Sequence, residues 1–411
     1  MQTNNSMGKY IAGIIAFLVA FVLSSGIVRK AFETISEPDS TGFESAVETP
    51  YVVPTPEQAR EFALEVEKQF QEKPAETFFQ FVSFERIIQI IRQDELGSKL
   101  KDYAGIKKQL EKTFQQVAKN SQAAKLFNAS KISFVDIVPR DGKLYASFRM
   151  DLDLSLNYII ILCSLENDKV VGSEITQLSV GISQERFTAN AMLDNLRSTP
   201  TFLDLLSPEK RKQMESAQKN IVKMSQACNA GKYEEAVRLF ESGSLQKLNY
   251  LSCETLYLVA LQTTAGKAIE REDKKEQEII FSKIEKTIAR IRKISPDNIG
   301  LDFSMLDTYF IQKKWDKLDS AYQSVLKIVG NDSHLYFLWA IAYLDNDKPK
   351  ALKLLKQAFE AGESAQAFLT VYLSTLNEIP NSSKEEKQAV IKRAVELYGD
   401  EFFDSPQDNL E

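Results

Sequence analysis

Three ten-residue frames recur in the second half of the chain. In GKYEEAVRLF, Gly231, Tyr233, Ala236 and Phe240 stand at offsets 0, 2, 5 and 9. KKWDKLDSAY repeats the frame with Lys313, Trp315, Leu318 and Tyr322, and NDKPKALKLL with Asn346, Lys348, Ala351 and Leu355. Each frame reads as a hinge followed by a helix with one apolar face. The segments before them supply Met224 and Ala227, Leu306 and Tyr309, and Ala340 and Tyr343, so each hinge joins two helices. A single helical hairpin cannot bury its apolar face alone, so recurrence of this kind predicts a stack. Two further hairpins lack the frame. One is CETLYLVALQTTAGKAIE with EQEIIFSKIEKTIARIRKI; the other is AQAFLTVYLSTL with KEEKQAVIKRAVEL. About five hairpins thus fill residues 184–404, followed by a tail over 405–411.

The second and third frames lie about one 34-residue unit apart, and in this they resemble the turn and second helix of tetratricopeptide repeats. That resemblance implies an all-α solenoid that binds a protein or peptide. In it the small residue (Ala236, Ala351) lets two helices approach, and the large one four positions later (Phe240, Tyr322) wedges against the next repeat. The chain departs from the family pattern: only Gly231 of the hinges is glycine, Leu318 replaces the small residue, and the repeat-ending proline is missing except for Pro296 and Pro380. The stripes Trp315/Tyr322 and Leu338/Trp339/Tyr343 read as packing between helices rather than as binding hot spots. EREDKKEQE near residue 270 reads as a solvated face or loop.

Upstream, the periodicity predicts a different architecture. Thr55-Pro56 signals a helix start, with Thr55 as cap and Pro56 in the first turn. Phe78, Phe81, Phe84, Ile88 and Ile91 recur at helical spacing, as do Ile106, Leu110, Phe114 and Val117. The period then changes to two in KISFVDIVP, KLYASFRMDLD, LNYIIILCSLE and KVVGSEITQLSVG. Asp141-Gly142 and Asn167-Asp168 are tight-turn signals between them. The expectation over residues 56–183 is an α+β domain: two or three helices and a four-stranded antiparallel meander. The element order resembles nuclear-transport-factor-like and cystatin-like folds, which implies a pocket between sheet and helices. Tyr145, Arg149, Asp151 and Asp153 are its candidate liners. Asp151 and Asp153 share a strand face and are an acid/base pair if buried, and a solvated strand end if not.

IAGIIAFLVAFVLSSGIV, residues 11–28, carries no charge and is long enough, at roughly 27 Å, to cross a hydrocarbon core. Two readings stand: an uncleaved anchor over residues 1–30, favoured by Ile27 and Val28 resuming the apolar run, or a signal peptide cleaved near Ser24–Gly26. Lys9 against Arg29 and Lys30 leans towards a cytoplasmic C-terminus. The short tail and the signal-peptide reading lean the other way, and the expectation is a single-pass membrane protein with its body outside the cytoplasm, in a bacterial envelope. Residues 31–55, rich in Pro, Ser, Thr and acids, read as a flexible linker.

Composition bounds the chemistry. A net charge of −6 and no basic run argue against nucleic acid. The single histidine, His334, excludes multi-histidine metal sites, and its place after Asn331, Asp332 and Ser333 reads as an exposed helix start. Cys163, Cys228 and Cys253 are too few for a disulfide framework, though a Cys228–Cys253 bridge stays open in an oxidising compartment. No phosphate-binding or nucleophile motif occurs. The reading is a non-catalytic scaffold or adaptor, without cofactor or metal, that binds a protein or peptide and has homo-oligomerisation open to it. The alternative is a small-molecule binder, or less readily an enzyme, using the α+β pocket.

Overall fold

The computed structural model describes residues 51–100, 102–120, 127–152, 155–197, 207–243, 245–380, 382–399 and 402. They form two compact units, one ending at Ser304 and the other beginning at Met305. The division differs from the one at residue 183 read from the sequence, because elements after residue 183 pack onto the sheet.

The first unit opens with α1 (Pro56–Glu72). Gln58 N donates to Thr55 Oγ1 at 3.2 Å and Thr55 N to Gln58 Oε1 at 2.9 Å, a reciprocal capping box. Pro74 starts α2 (Pro74–Gln80), and Ser83 caps α3 (Phe84–Gln93). Phe78, Phe81 and Phe84 therefore do not share one continuous helix. After α4 (Tyr103–Asn120) come β1 (Lys131–Arg140), β2 (Lys143–Leu152), β3 (Ser155–Glu166) and β4 (Lys169–Gln177). They pair antiparallel in the order β1-β2-β3-β4. Asp141-Gly142 and Asn167-Asp168 all take left-handed φ, as type I′ hairpin turns require. The last strand stops at Gln177, short of the predicted Gly181.

One face of the sheet presents Ala146, Phe148 and Met150 with Ile159, Ile161 and Ile175, all buried. Phe70 of α1 meets Phe148 edge-on at 5.5 Å, and Phe78, Phe79, Phe114 and Phe127 interlock behind it. Each fully buried ring contributes about 2–3 kcal/mol. This aromatic core fills the space where the fold resemblance implies a pocket. The opposite face carries Tyr145, Ser147 and Arg149 beside Tyr158, Ile160 and Leu162. Phe303 packs on Tyr158 there, at 5.9 Å.

The unit continues with α5 (Gln184–Leu196), α6 (Pro208–Asn229), α7 (Tyr233–Glu241), α8 (Leu251–Glu270) and α9 (Lys274–Ile294). α10 (Leu301–Ile311) runs into the second unit, which holds α11 (Trp315–Val329), α12 (Ser333–Ile341), α13 (Lys348–Glu360), α14 (Gln366–Glu378) and α15 (Lys384–Tyr398).

The membrane reading is corrected. Among the described residues no helix is long and apolar enough to cross a membrane. α8, buried on nearly every side, is covered by protein and carries Glu254, Lys267 and Glu270, and the most apolar helices, α10 and α12, are only 11 and 9 residues long. The helix expected over residues 11–28 lies outside the described residues, and the single-pass, extracytoplasmic placement and bacterial-envelope setting built on it are withdrawn. The linker over 31–55 is described only from Tyr51.

Candidate functional site

The hairpins share a backbone device that the sequence only partly signals. At the end of α6, Gly231 N donates to Cys228 O and Lys232 N to Ala227 O, with Gly231 at φ +71°. α8 ends with the same pair of bonds, Glu272 N to Ile269 O and Asp273 N to Ala268 O, with Glu272 at φ +56°. α10 ends identically, Lys313 N to Phe310 O and Lys314 N to Tyr309 O, with Lys313 at φ +54°. These are Schellman caps, and two use a residue that ordinarily avoids left-handed φ. Asn346 does not join them. The chain there runs through a turn closed by Asp347 N on Tyr343 O at 2.8 Å.

The frame residues pack as helix spacing demands. Ala236, Leu318 and Ala351 are 0% exposed, and Tyr233, Phe240, Tyr322, Tyr343 and Leu355 are buried; Trp315 is half-buried. Aromatics on the second helix of one hairpin then meet aromatics on the first helix of the next. Phe240 stacks on Tyr257 at 3.9 Å, Tyr322 on Trp339 at 5.2 Å, and Phe359 lies 5.8 Å from Tyr372. The stripes are thus inter-hairpin packing.

Asp319 of α11 adds a polar lock within the second unit. It accepts from Trp339 Nε1 at 2.9 Å, from Tyr343 Oη at 2.7 Å and from the Lys350 ammonium. Burial would raise its carboxyl, but these donors hold it below the usual carboxylate range. Asp332 caps α12 by accepting from the His334 and Leu335 amides. His334 is in the first turn, as expected, but not free in solvent: its Nδ1 lies 3.3 Å from Glu363 Oε2. Burial works against the Glu363 charge, yet His334 and the Ser364 and Ala365 amides bring it down to about 2.

The last hairpin differs. α15 buries Val390 and Ala394 against α14, while Ile391 (37% exposed), Val395 (40%) and Tyr398 (36%) form an open stripe at i, i+4, i+7. Tyr398 follows Ala394 by four residues, the spacing of Ala236 to Phe240. Among the described residues the Tyr398 ring meets Phe402, at 6.2 Å, and its hydroxyl donates to Ser364 O at 3.0 Å, so the tyrosine is tied at its tip while Ile391 and Val395 stay open.

The four sheet residues part company. Arg149 and Asp151 pair with each other at 3.0 Å. Asp153 lies outside the described residues. Tyr145 lines a half-open cleft of about 110 Å³ on the sheet face away from α1–α4, with Arg140, Glu174, Thr176, Arg186 and Asp297. The sequence reading missed Arg140 and Glu174; strand register was the signal available, since Glu174, Leu162 and Tyr145 fall in one row. A strap over residues 295–300 closes one side: Asn298 Nδ2 donates to Val180 O at 3.0 Å and Ile299 N to Gly181 O at 2.8 Å. A Cβ at Gly181 or Gly300 would overlap the opposing chain, so both glycines are needed for this approach.

Three other features are structural. Burial pushes Glu185 up to about 8 while its Oε1 accepts from Ser83 N at 2.9 Å. Burial raises Asp194 to about 7 against the opposing pull of Arg197 and the Ser252 hydroxyl. The three cysteines are free and buried, with Cys163 and Cys228 pushed up to about 12, so none presents a reactive thiolate. Among the described residues no group of three His, Cys, Asp or Glu side chains is arranged to hold a metal. Compared with protein families, curated proteins and solved structures, the chain matches none.

Proposed function

We propose that this chain is a non-catalytic interaction module whose hairpins, similar to tetratricopeptide repeats, bind a partner protein. The partner contributes one amphipathic helix, which lies along α15. The observation that carries this reading is the exposed stripe Ile391, Val395 and Tyr398. Phe240, Tyr322 and Phe359 are each met by an aromatic of the following hairpin, and α15 repeats the small-to-aromatic spacing while its apolar Ile391 and Val395 lie exposed among the described residues. A repeat helix face that met only water would be polar, so exposed apolar residues at helical spacing favour a docked helix. The occupant's chemistry follows from the series: a helix with apolar residues at i, i+3/i+4 and i+7, one of them aromatic, in place of Tyr257, Trp339 or Tyr372.

The test is co-purification with full-length chain and with Ile391→Glu/Val395→Glu, after urea unfolding has shown equal stability. The double variant is expected to lose a partner that wild type retains, while both remain monomeric. Equal retention of every co-purifying protein refutes the reading. So does a wild-type dimer dissociated by the two glutamates, which would make the occupant a second copy of the chain.

A further inference from the structure

The cleft on the second face of the sheet holds charges that the fold does not use. Arg140 ends β1, and its guanidinium lies over the Tyr145 ring at 4.2 Å. Among the described residues no carboxylate pairs with it. Glu174 lies across the cleft, two strands from Tyr145 through Leu162, which puts their backbones about 10 Å apart. It too has no cationic partner among the described residues. The other two charges of the cleft, Arg186 and Asp297, pair with each other. The Thr176 hydroxyl, two residues beyond Glu174 on β4, has no intramolecular partner among the described residues, and Ile160 and Ile299 supply an apolar wall.

These walls are rigid. Arg140 and Lys143 close a two-residue hairpin turn, and the strap over 295–300 is tied to Val180 and Gly181 by two hydrogen bonds. A half-open cleft of about 110 Å³ corresponds to roughly four waters, so it encloses the charged end of a small ligand and leaves the rest to extend over the apolar wall. One free cation and one free anion sum to zero, so a singly charged ligand would leave one of them unmatched.

We infer that this cleft binds a small zwitterion of the free amino-acid type, its carboxylate on Arg140 and its ammonium on Glu174, with an aliphatic side chain against Ile160 and Ile299. Arg140 suits the role because its guanidinium, held over the Tyr145 ring, keeps donors free to take a carboxylate in bidentate fashion. The site is independent of the α15 stripe.

Ligand-observed NMR on the full-length chain tests this with the free amino acids at 10 mM each. The expectation is binding of neutral aliphatic members, L-leucine among them. Arg140→Ala and Glu174→Gln, both at half-exposed positions, should each weaken L-leucine about tenfold or more. 4-Methylpentanoate, which lacks the ammonium, should bind more weakly than L-leucine and be helped, not weakened, by Glu174→Gln; 3-methylbutylamine should likewise not be weakened by Arg140→Ala. Absence of binding by every amino acid overturns the assignment. So does L-leucine binding that neither substitution changes.

Discussion

Replacing Asp319 tests whether successive hairpins of the second unit are coupled. The carboxylate reaches from α11 to Trp339, Tyr343 and Lys350 of the next hairpin. Asp319 and Lys350 side chains are 25% and 29% exposed, so solvent screens the pair only in part. A hydrogen bond to a charged group contributes about 1.5–3 kcal/mol, and removing the acceptor strands the Nε1 donor of the buried Trp339 and leaves Tyr343 Oη only Trp315 O, at 3.5 Å. Allowing for non-additivity, Asp319→Ala should cost about 2–4 kcal/mol. Asp319→Asn keeps one acceptor and loses the attraction to Lys350, for about half that cost. Both tryptophans, Trp315 and Trp339, lie in this unit, so their fluorescence follows its unfolding alone. With a urea slope of about 1.5 kcal/mol/M, the alanine variant should unfold about 2 M earlier. A loss under about 0.5 kcal/mol for alanine would refute the coupling.

Three further outcomes follow. The Glu185 carboxyl is raised by burial to about 8, so its contribution is full below its ordinary pKa and is lost as pH rises through 8; Asp194, at about 7, acts in the same sense. Glu185→Gln should therefore flatten the alkaline loss of β4 amide protection in hydrogen exchange between pH 5 and 9 by about 2–5 kcal/mol, and parallel curves would contradict this. Gly181→Ala should cost about 1–3 kcal/mol, seen as faster exchange of the Ile299 amide, because φ is +76° and the Cβ would overlap Asn298. Native protein should leave all three cysteines unlabelled by a thiol reagent that labels them in urea, and fast labelling of Cys228 or Cys253 would contradict their burial.

Much of the fold was legible because it rests on short-range signals. The Thr55 cap, the Asp141-Gly142 and Asn167-Asp168 turns, and the buried Ala236, Leu318 and Ala351 each follow from a local pattern. The hinge at Glu272 was not legible, because nothing in a glutamate announces left-handed φ. Asp319 was missed for a different reason: it sits one place after Leu318 of the frame, on a face whose neighbours come from 20 to 31 residues later. The unit boundary moved because Gly181 and Gly300, distant in sequence, are in contact. Of the pocket candidates, Tyr145, Arg149 and Asp151 lie on the sheet face away from α1–α4. Period-two alternation says that Tyr145, Arg149 and Asp151 share a side, but not that α1–α4 cover the other one. Only the register to Glu174 and the strap over 295–300 turn Tyr145 into part of a cleft.

The most direct test of the account is site-mapped photo-cross-linking of full-length protein, with a photoreactive residue at Val395 and, as control, at the exposed Lys353 of α13. The account predicts adducts at Val395 alone, with the captured peptide mapping to one amphipathic helix of one partner protein, and their loss on adding Ile391→Glu. Equal adducts at both positions, or adducts only to a second copy of the chain, would contradict it.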